Sequence, residues 1–205
     1  MEQVSFKERV RQAAIEGAKA YKENFIDNEY LLCSKAFHEK GYYIAKADKG
    51  NYLHLLGIHT ELSAEEFFLK CYDGSLVEDD FDFTKKNQPE KSVKGSVRQK
   101  IKVLPDMLKM YDRELIAQED FKKNRVECAF ATAEDTHTLG YAAAGRPKSL
   151  LQKNELDEDK AHKVDLIFKK QRGTDKFTDL ICGDEKLVME YMEQIAALVD
   201  DKFIL

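Results

Sequence analysis

Residues 163–182 read KVDLIFKK, then QRGTDK, then FTDLIC. Two apolar runs rich in Val, Ile, Leu and Phe flank a polar segment in which Arg172-Gly173-Thr174-Asp175 supplies turn chemistry. Short runs of that composition around a Gly-bearing turn predict two strands, 163–170 and 177–182, joined as an antiparallel hairpin. Upstream, 125–133 (RVECAFATA) and 138–144 (TLGYAAA) have the same character, as do 29–36 (EYLLCSKA), 41–47 (GYYIAKA) and 51–58 (NYLHLLGI). Asp48-Lys49-Gly50-Asn51 fits a tight turn in which Gly50 takes positive φ, so 41–47 and 51–58 are expected to pair.

Helices flank these strands. Ser5-Phe6-Lys7-Glu8 has the capping-box pattern, and Phe6, Val10, Ala13, Ala14, Gly17, Tyr21 and Phe25 follow at helical spacing. Ser63-Ala64-Glu65-Glu66 repeats the pattern before a short helix that turns Phe67, Phe68 and Cys71 inward and stops at Gly74. Ser96-Val97-Arg98-Gln99 opens a third, whose apolar stripe is Val97, Ile101 and Leu104. Pro105 must end or kink it, and can start a following helix carrying Leu108, Tyr111, Leu115 and Ile116 inward. A last helix follows Asp184, with Leu187, Val188, Tyr191, Ile195 and Leu198 on one face. Antiparallel hairpins between helices define an α+β domain: a twisted antiparallel β-sheet with an N-terminal helix, central helices and a C-terminal helix packed on it. One domain is expected over 1–205, with an exposed charged loop at about 78–95.

Composition sets limits on function. Of 205 residues, 43% are hydrophobic and 35% charged, which suits a folded domain with a heavily solvated surface. The N-terminus has no signal-peptide pattern and no stretch is apolar enough for a membrane span, so a soluble, cytoplasmic protein is expected. Cys33, Cys71, Cys128 and Cys182 are too far apart for a C-x-x-C site and lie among apolar neighbours, as reduced core cysteines do. The common phosphate-loop, zinc-binding and nucleophile-elbow motifs are absent, so no metal and no cofactor are expected. The net charge of −5 does not favour nucleic-acid binding. Its distribution does: Lys85, Lys86, Lys91, Lys94, Arg98, Lys100 and Lys102 face only Glu90 between residues 84 and 102.

Four segments carry a resemblance. Asn51-Tyr52-Leu53-His54-Leu55-Leu56-Gly57 and Ser63-Ala64-Glu65-Glu66-Phe67-Phe68 are similar to the "N-F-x-H-L-T-G" strand and "A-x-x-F-Y" helix of the phage-associated barnase/EndoU/colicin/RelE-like nucleases, fourth family. Lys100-Ile101-Lys102-Val103-Leu104-Pro105 resembles that family's "K-L-x-V-L" helix, and Arg146-Pro147-Lys148-Ser149-Leu150-Leu151 its "P-x-S-L-L" segment. Order and spacing agree from about residue 5 to 170. Leu56 departs from the pattern by standing where the family has Thr.

The resemblance implies a metal-independent endoribonuclease or toxin-like nuclease of a phage or mobile element. Such chemistry needs a group to activate the 2′-hydroxyl, one to protonate the leaving oxygen, and cations for the charge of the transition state. His54, Lys100, Arg146 and Ser149 are the catalytic candidates; Arg98, Lys102, Tyr141 and Lys148 are the substrate-binding ones. Each has a structural alternative. On a strand, His54 shares a face with Tyr52 and Leu56, and is either an acid–base group or a hydrogen-bonded sheet histidine. Arg98 and Lys102, four apart, share a helix face with Lys100 to the side, either on phosphates or in solvent. Arg146, Lys148 and Ser149 fall in a loop past a strand end, where Ser149 can equally cap a turn. Tyr141 alternates with Ala143, leaving room for a base or ribose, or for a packed helix. His137 and Thr138 belong to a hairpin turn and His137 is expected to be exposed and idle, like His38, His59 and His162. The partners implied are RNA and a protein partner or antitoxin. A non-catalytic, protein-binding or inhibitory protein of a mobile element that retains the fold is the alternative, and a small-molecule transferase the third reading.

Overall fold

The computed structural model describes residues 4–204; residues 1–3 and 205 of the expected domain lie outside them. The helices are α1 (Phe6–Tyr21), α2 (Asn51–Leu56), α3 (Ala64–Asp73), α4 (Glu90–Met107) and α5 (Val188–Ile195). The strands are β1 (Asn28–Ser34), β2 (Tyr42–Ala45), β3 (Ile116–Glu119), β4 (Lys122–Lys123), β5 (Val126–Glu127), β6 (Phe130–Ala133), β7 (His137–Tyr141), β8 (Pro147–Gln152), β9 (His162–Gln171) and β10 (Asp179–Gly183). Eight strands form one sheet in the order β2-β1-β9-β3-β6-β7-β8 with β10 also beside β9, and β4 and β5 form a separate ribbon. The pairings are antiparallel, so the fold is α+β as the hairpin reading predicts.

The sheet curls until β2 meets the β7–β8 turn. The Lys46 N–H donates to the Gly145 carbonyl at 3.0 Å, and Tyr43 of β2 stacks on Phe130 of β6 with ring centroids 4.2 Å apart. Gly145 has a φ of +76°, and a side chain there would run into the Ile44 carbonyl. The concave face holds the main core, where Tyr30 and Leu32 of β1 pack with Tyr52, Leu55 and Leu56 of α2 and Val97 and Leu104 of α4. Leu31 and Cys33 point the other way, toward Tyr191 and Ile195 of α5. With both faces covered, β1 reads as a continuous apolar run.

Several expectations need correction. Residues 51–56 are helix, not strand, and 42–45 pair with β1 instead. Gly50 has φ −64°: the Asp48–Asn51 turn, with the Asn51 side chain accepting from the Asp48 N–H at 2.8 Å, leads into α2 rather than into a hairpin. Ser96 does not cap a helix, because α4 begins at Glu90 and runs through Pro105 to Met107, and the next segment is a single tight turn at Met110–Asp112 followed by β3. Pro105 has no N–H to return to the Ile101 carbonyl, and α4 ends two residues later at Met107. The 78–89 segment is anchored by buried Phe81 and Phe83 and a two-bond bridge between His59 and Asp82. Residues 142–145 are turn rather than strand, and 147–152 are the strand β8 rather than loop.

His137 is also not exposed; it is fully buried at the start of β7. Its Nδ1 lies 3.0 Å from the Thr136 hydroxyl, while Nε2 has no partner among the described residues. Burial pushes its pKa down from 6.5 to about 4, with Asp106 opposing and Arg113 reinforcing the shift. Glu134, ion-paired to Arg113 at 3.0 Å, belongs to the same corner. Below pH 6.5 the unfolded chain takes up a proton that the fold refuses, so stability falls as the pH drops towards about 4, by at most about 3 kcal/mol. Urea midpoints at pH 7 and pH 5 are expected to differ clearly for the wild type and much less for His137→Phe; equal acid losses in the two proteins would exclude His137 as the cause.

Candidate nucleic-acid site around helix α2

Helix α2 is six residues long and lies against α3, α4 and β8. Tyr52, Leu55 and Leu56 anchor its inner face, and the Tyr52 hydroxyl donates to the Ala14 carbonyl at 2.8 Å. That spacing of apolar residues leaves His54 on the outer, exposed side. Leu56 is fully buried, so the position where a Thr was expected is filled by core packing. Gly57 ends the helix with φ +73°, a conformation glycine adopts at no steric cost.

Lys100 of α4 lies over this end. Its Nζ donates to the His54 carbonyl at 3.1 Å. A Cβ on Gly57 would stand 3.0 Å from that nitrogen and just over 3 Å from the two carbons before it, so a side chain there would push the lysine stem aside by a few tenths of an ångström. Lys100 also lines a cleft of about 180 Å³ with Ser96 and Gln99 of α4, Asn124 between β4 and β5, and Leu150 and Gln152 of β8. Desolvation there, reinforced by the charge of Lys85, pushes its pKa down to about 8. An amine so tuned holds and releases a proton close to neutral pH, as a general acid or base requires.

The segments that carried the resemblance therefore meet at one place: α2 and α4 share a hydrogen bond, and β8 packs against both. The model of the family described as phage-Barnase-EndoU-ColicinE5/D-RelE like nuclease 4 matches residues 15–186. The chain belongs to this nuclease family. Comparison with curated proteins and with solved structures finds no match. Among the described residues of this family member, no three His, Cys, Asp or Glu side chains cluster as metal ligands would, and no helix is long and apolar enough to cross a membrane.

The other candidates lie at varying distances from this centre. Arg146, just before β8, reaches the opposite end of α2 and pairs with Asp48 at 3.1 Å. Lys148 points to the β4–β5 ribbon, donating to the Glu127 carbonyl at 2.7 Å. Ser149 is half-buried on β8, opposite Gly140. Arg98 sits over the Phe6 ring of α1, 5.0 Å from its centroid, and Lys102 is exposed; the basic stretch on α4 is thus divided between two sides of the helix. Tyr141 is fully buried. Its hydroxyl bonds to Tyr111 at 2.9 Å and Thr132 at 3.1 Å, and its ring stacks on Phe130, so the space expected beside it is filled by protein. Arg172 went unnoticed in the sequence because it sits in a hairpin-turn segment, yet it reaches Asp48 at 2.5 Å.

Gly57→Ala tests the seat of Lys100. The added methyl is expected to displace the amine from the His54 carbonyl towards water, which raises its pKa from about 8 towards the usual lysine range. A pH titration of ¹⁵N-labelled lysine side chains reads this directly, and a Lys100 resonance that titrates identically in both proteins would dismiss the seat.

Proposed function

We propose that this nuclease-family protein is a metal-independent endoribonuclease, toxin-like and belonging to a phage or other mobile element, with its chemistry at the α2–α4 contact. The observation that carries the reading is the Lys100 amine, seated on Gly57 and bonded to the backbone of His54, with its pKa pushed down to about 8. His54, exposed on α2, takes the proton of the attacking 2′-hydroxyl. The Lys100 ammonium stabilises the charge that develops on the phosphate and protonates the leaving 5′-oxygen. Arg146 orients a neighbouring phosphate, while Lys148, Arg98 and Lys102 meet the strand farther out; Ser149, which alternates with the core residue Leu150 on β8, faces away from this contact. Tyr141, fully buried and bonded to Tyr111 and Thr132, does not touch substrate.

A non-catalytic, protein-binding role is the second reading. It is favoured by the net charge of −5 and by Leu56 filling the position of the expected Thr. One experiment separates the two: total RNA incubated with the protein in excess EDTA. Cleavage is expected for the wild type, with losses of about 10²-fold or more in His54→Ala and in Lys100→Gln. Because Lys100 acts in its charged form, the wild-type rate is expected to fall as pH rises through about 8. Intact RNA over a wide protein range would move the assignment to the binding role; cleavage untouched by either substitution would place the chemistry elsewhere.

A further inference from the structure

The start of α2 borders a second cleft, of about 560 Å³, lined by Asp48, Lys49, Asn51, Glu65, Arg146 and Arg172 among others. Three distant parts of the chain meet there. Arg172 extends from the end of β9 and is held by the chain itself, its Nη1 donating to the Ala47 carbonyl at 2.7 Å. Arg146 comes from the β7–β8 turn. Both guanidiniums converge on one carboxylate, Arg172 Nη2 on Asp48 Oδ1 at 2.5 Å and Arg146 Nη2 on Oδ2 at 3.1 Å. The Arg172 hydrogen bond, then the charges of Arg172, Arg146 and Lys46, holds that carboxyl below the usual carboxylate range.

These ions are half-exposed, with 55%, 41% and 36% of the side-chain surface of Arg146, Arg172 and Asp48 open to solvent. At such exposure an ion pair contributes little to folding. A pair of forked donors closing on two oxygens of one anion is, however, the arrangement by which arginines recognise a phosphate. We propose that this cleft binds a backbone phosphodiester of the nucleic acid, gripped by Arg146 and Arg172 with Lys49 beside it, and that Asp48 is the resident counter-ion which the phosphate displaces. The inference rests on the nuclease reading and names its flanking-phosphate subsite. The six residues of α2 span about 9 Å. The subsite and Lys100 lie at opposite ends of that helix, a separation that a short stretch of backbone bridges.

The test is binding of fluorescein-labelled dU12, which carries phosphodiesters but no 2′-hydroxyl, followed by anisotropy across a NaCl series. Each lost phosphate contact lowers the slope of log K against log salt by roughly 0.7 for a single strand. Arg172→Gln and Lys49→Gln are each expected to weaken binding and flatten the slope by about that amount, and Asp48→Asn, which removes the competing anion, to tighten binding severalfold. Lys186→Gln, beside α5 on the other face of the sheet, is expected to change neither. Lys49→Gln keeps the test decisive if Arg172→Gln fails to fold. Wild-type slopes in both of those variants, or unchanged binding in Asp48→Asn, overturn the subsite and leave the nuclease reading standing. No dU12 binding by the wild type at the lowest salt, together with intact RNA in the cleavage assay, overturns both.

Discussion

The pairing of β9 with β1 is the constraint on which the rest of the molecule depends. Residues Asn28–Ser34 run against Val164–Gln171, across more than half the chain, and β9 carries β10 and the end of β3 along its other edge. A strand bonded on both edges and packed on both faces leaves no freedom of register, because a one-residue slip would exchange its two apolar faces. Closing so long a loop costs entropy before any contact offsets it, and the offset is the core on both sides of β1. From this ladder follow the positions of two groups of the proposed subsite: β1 leads into β2 and the Asp48 turn, while β9 ends just before Arg172. Their meeting is a consequence of the ladder.

Curling of the sheet completes the geometry. Gly145 allows the β7–β8 turn to touch β2, which brings Arg146 beside Asp48 and lays β8 under α2 and α4. The aromatic column of Phe37, Tyr43, Phe130 and Tyr141 fills the inside of that curl. Tyr111 and Thr132 satisfy the hydroxyl at its base. A buried tyrosine with its hydroxyl left unpaired would cost stability, so this network explains Tyr141 without recourse to a ligand.

Much of the fold was legible because its signals are local. The Gly173 turn, the Ser5 cap and the Ser63 capping box each act within a few residues, and the Ser63–Glu66 pair makes both of its expected bonds. Residues 51–57 were not legible, because a run such as Tyr-Leu-His-Leu-Leu is too short for its period to distinguish strand from helix. Packing decides: Tyr52, Leu55 and Leu56 fit a helical stripe against α1 and α3, and a strand would have put Leu55 opposite them. Pro147 hid β8, since proline argues against strand except at the first residue or on an edge, and there it occupies both.

The site was legible only in its parts. Lys100 looks like one cation among seven in a basic stretch, and helical spacing groups Arg98 with Lys102 instead. What distinguishes it is Gly57, more than 40 residues earlier, whose missing side chain leaves room for the amine on the end of α2. Total charge misleads in the same way. A chain of net charge −5 is a poor polyanion binder on average, but phosphate contacts act within about a Debye length, ~8–10 Å at ordinary ionic strength. Over that range Arg146, Arg172, Lys46 and Lys49 outweigh Asp48 and Glu65. In the proposed subsite Asp48 adds specificity to charge: its carboxylate keeps two guanidiniums aimed at one point before a phosphate arrives. That limits the side-chain entropy lost on binding and sets a threshold that weaker anions would not cross.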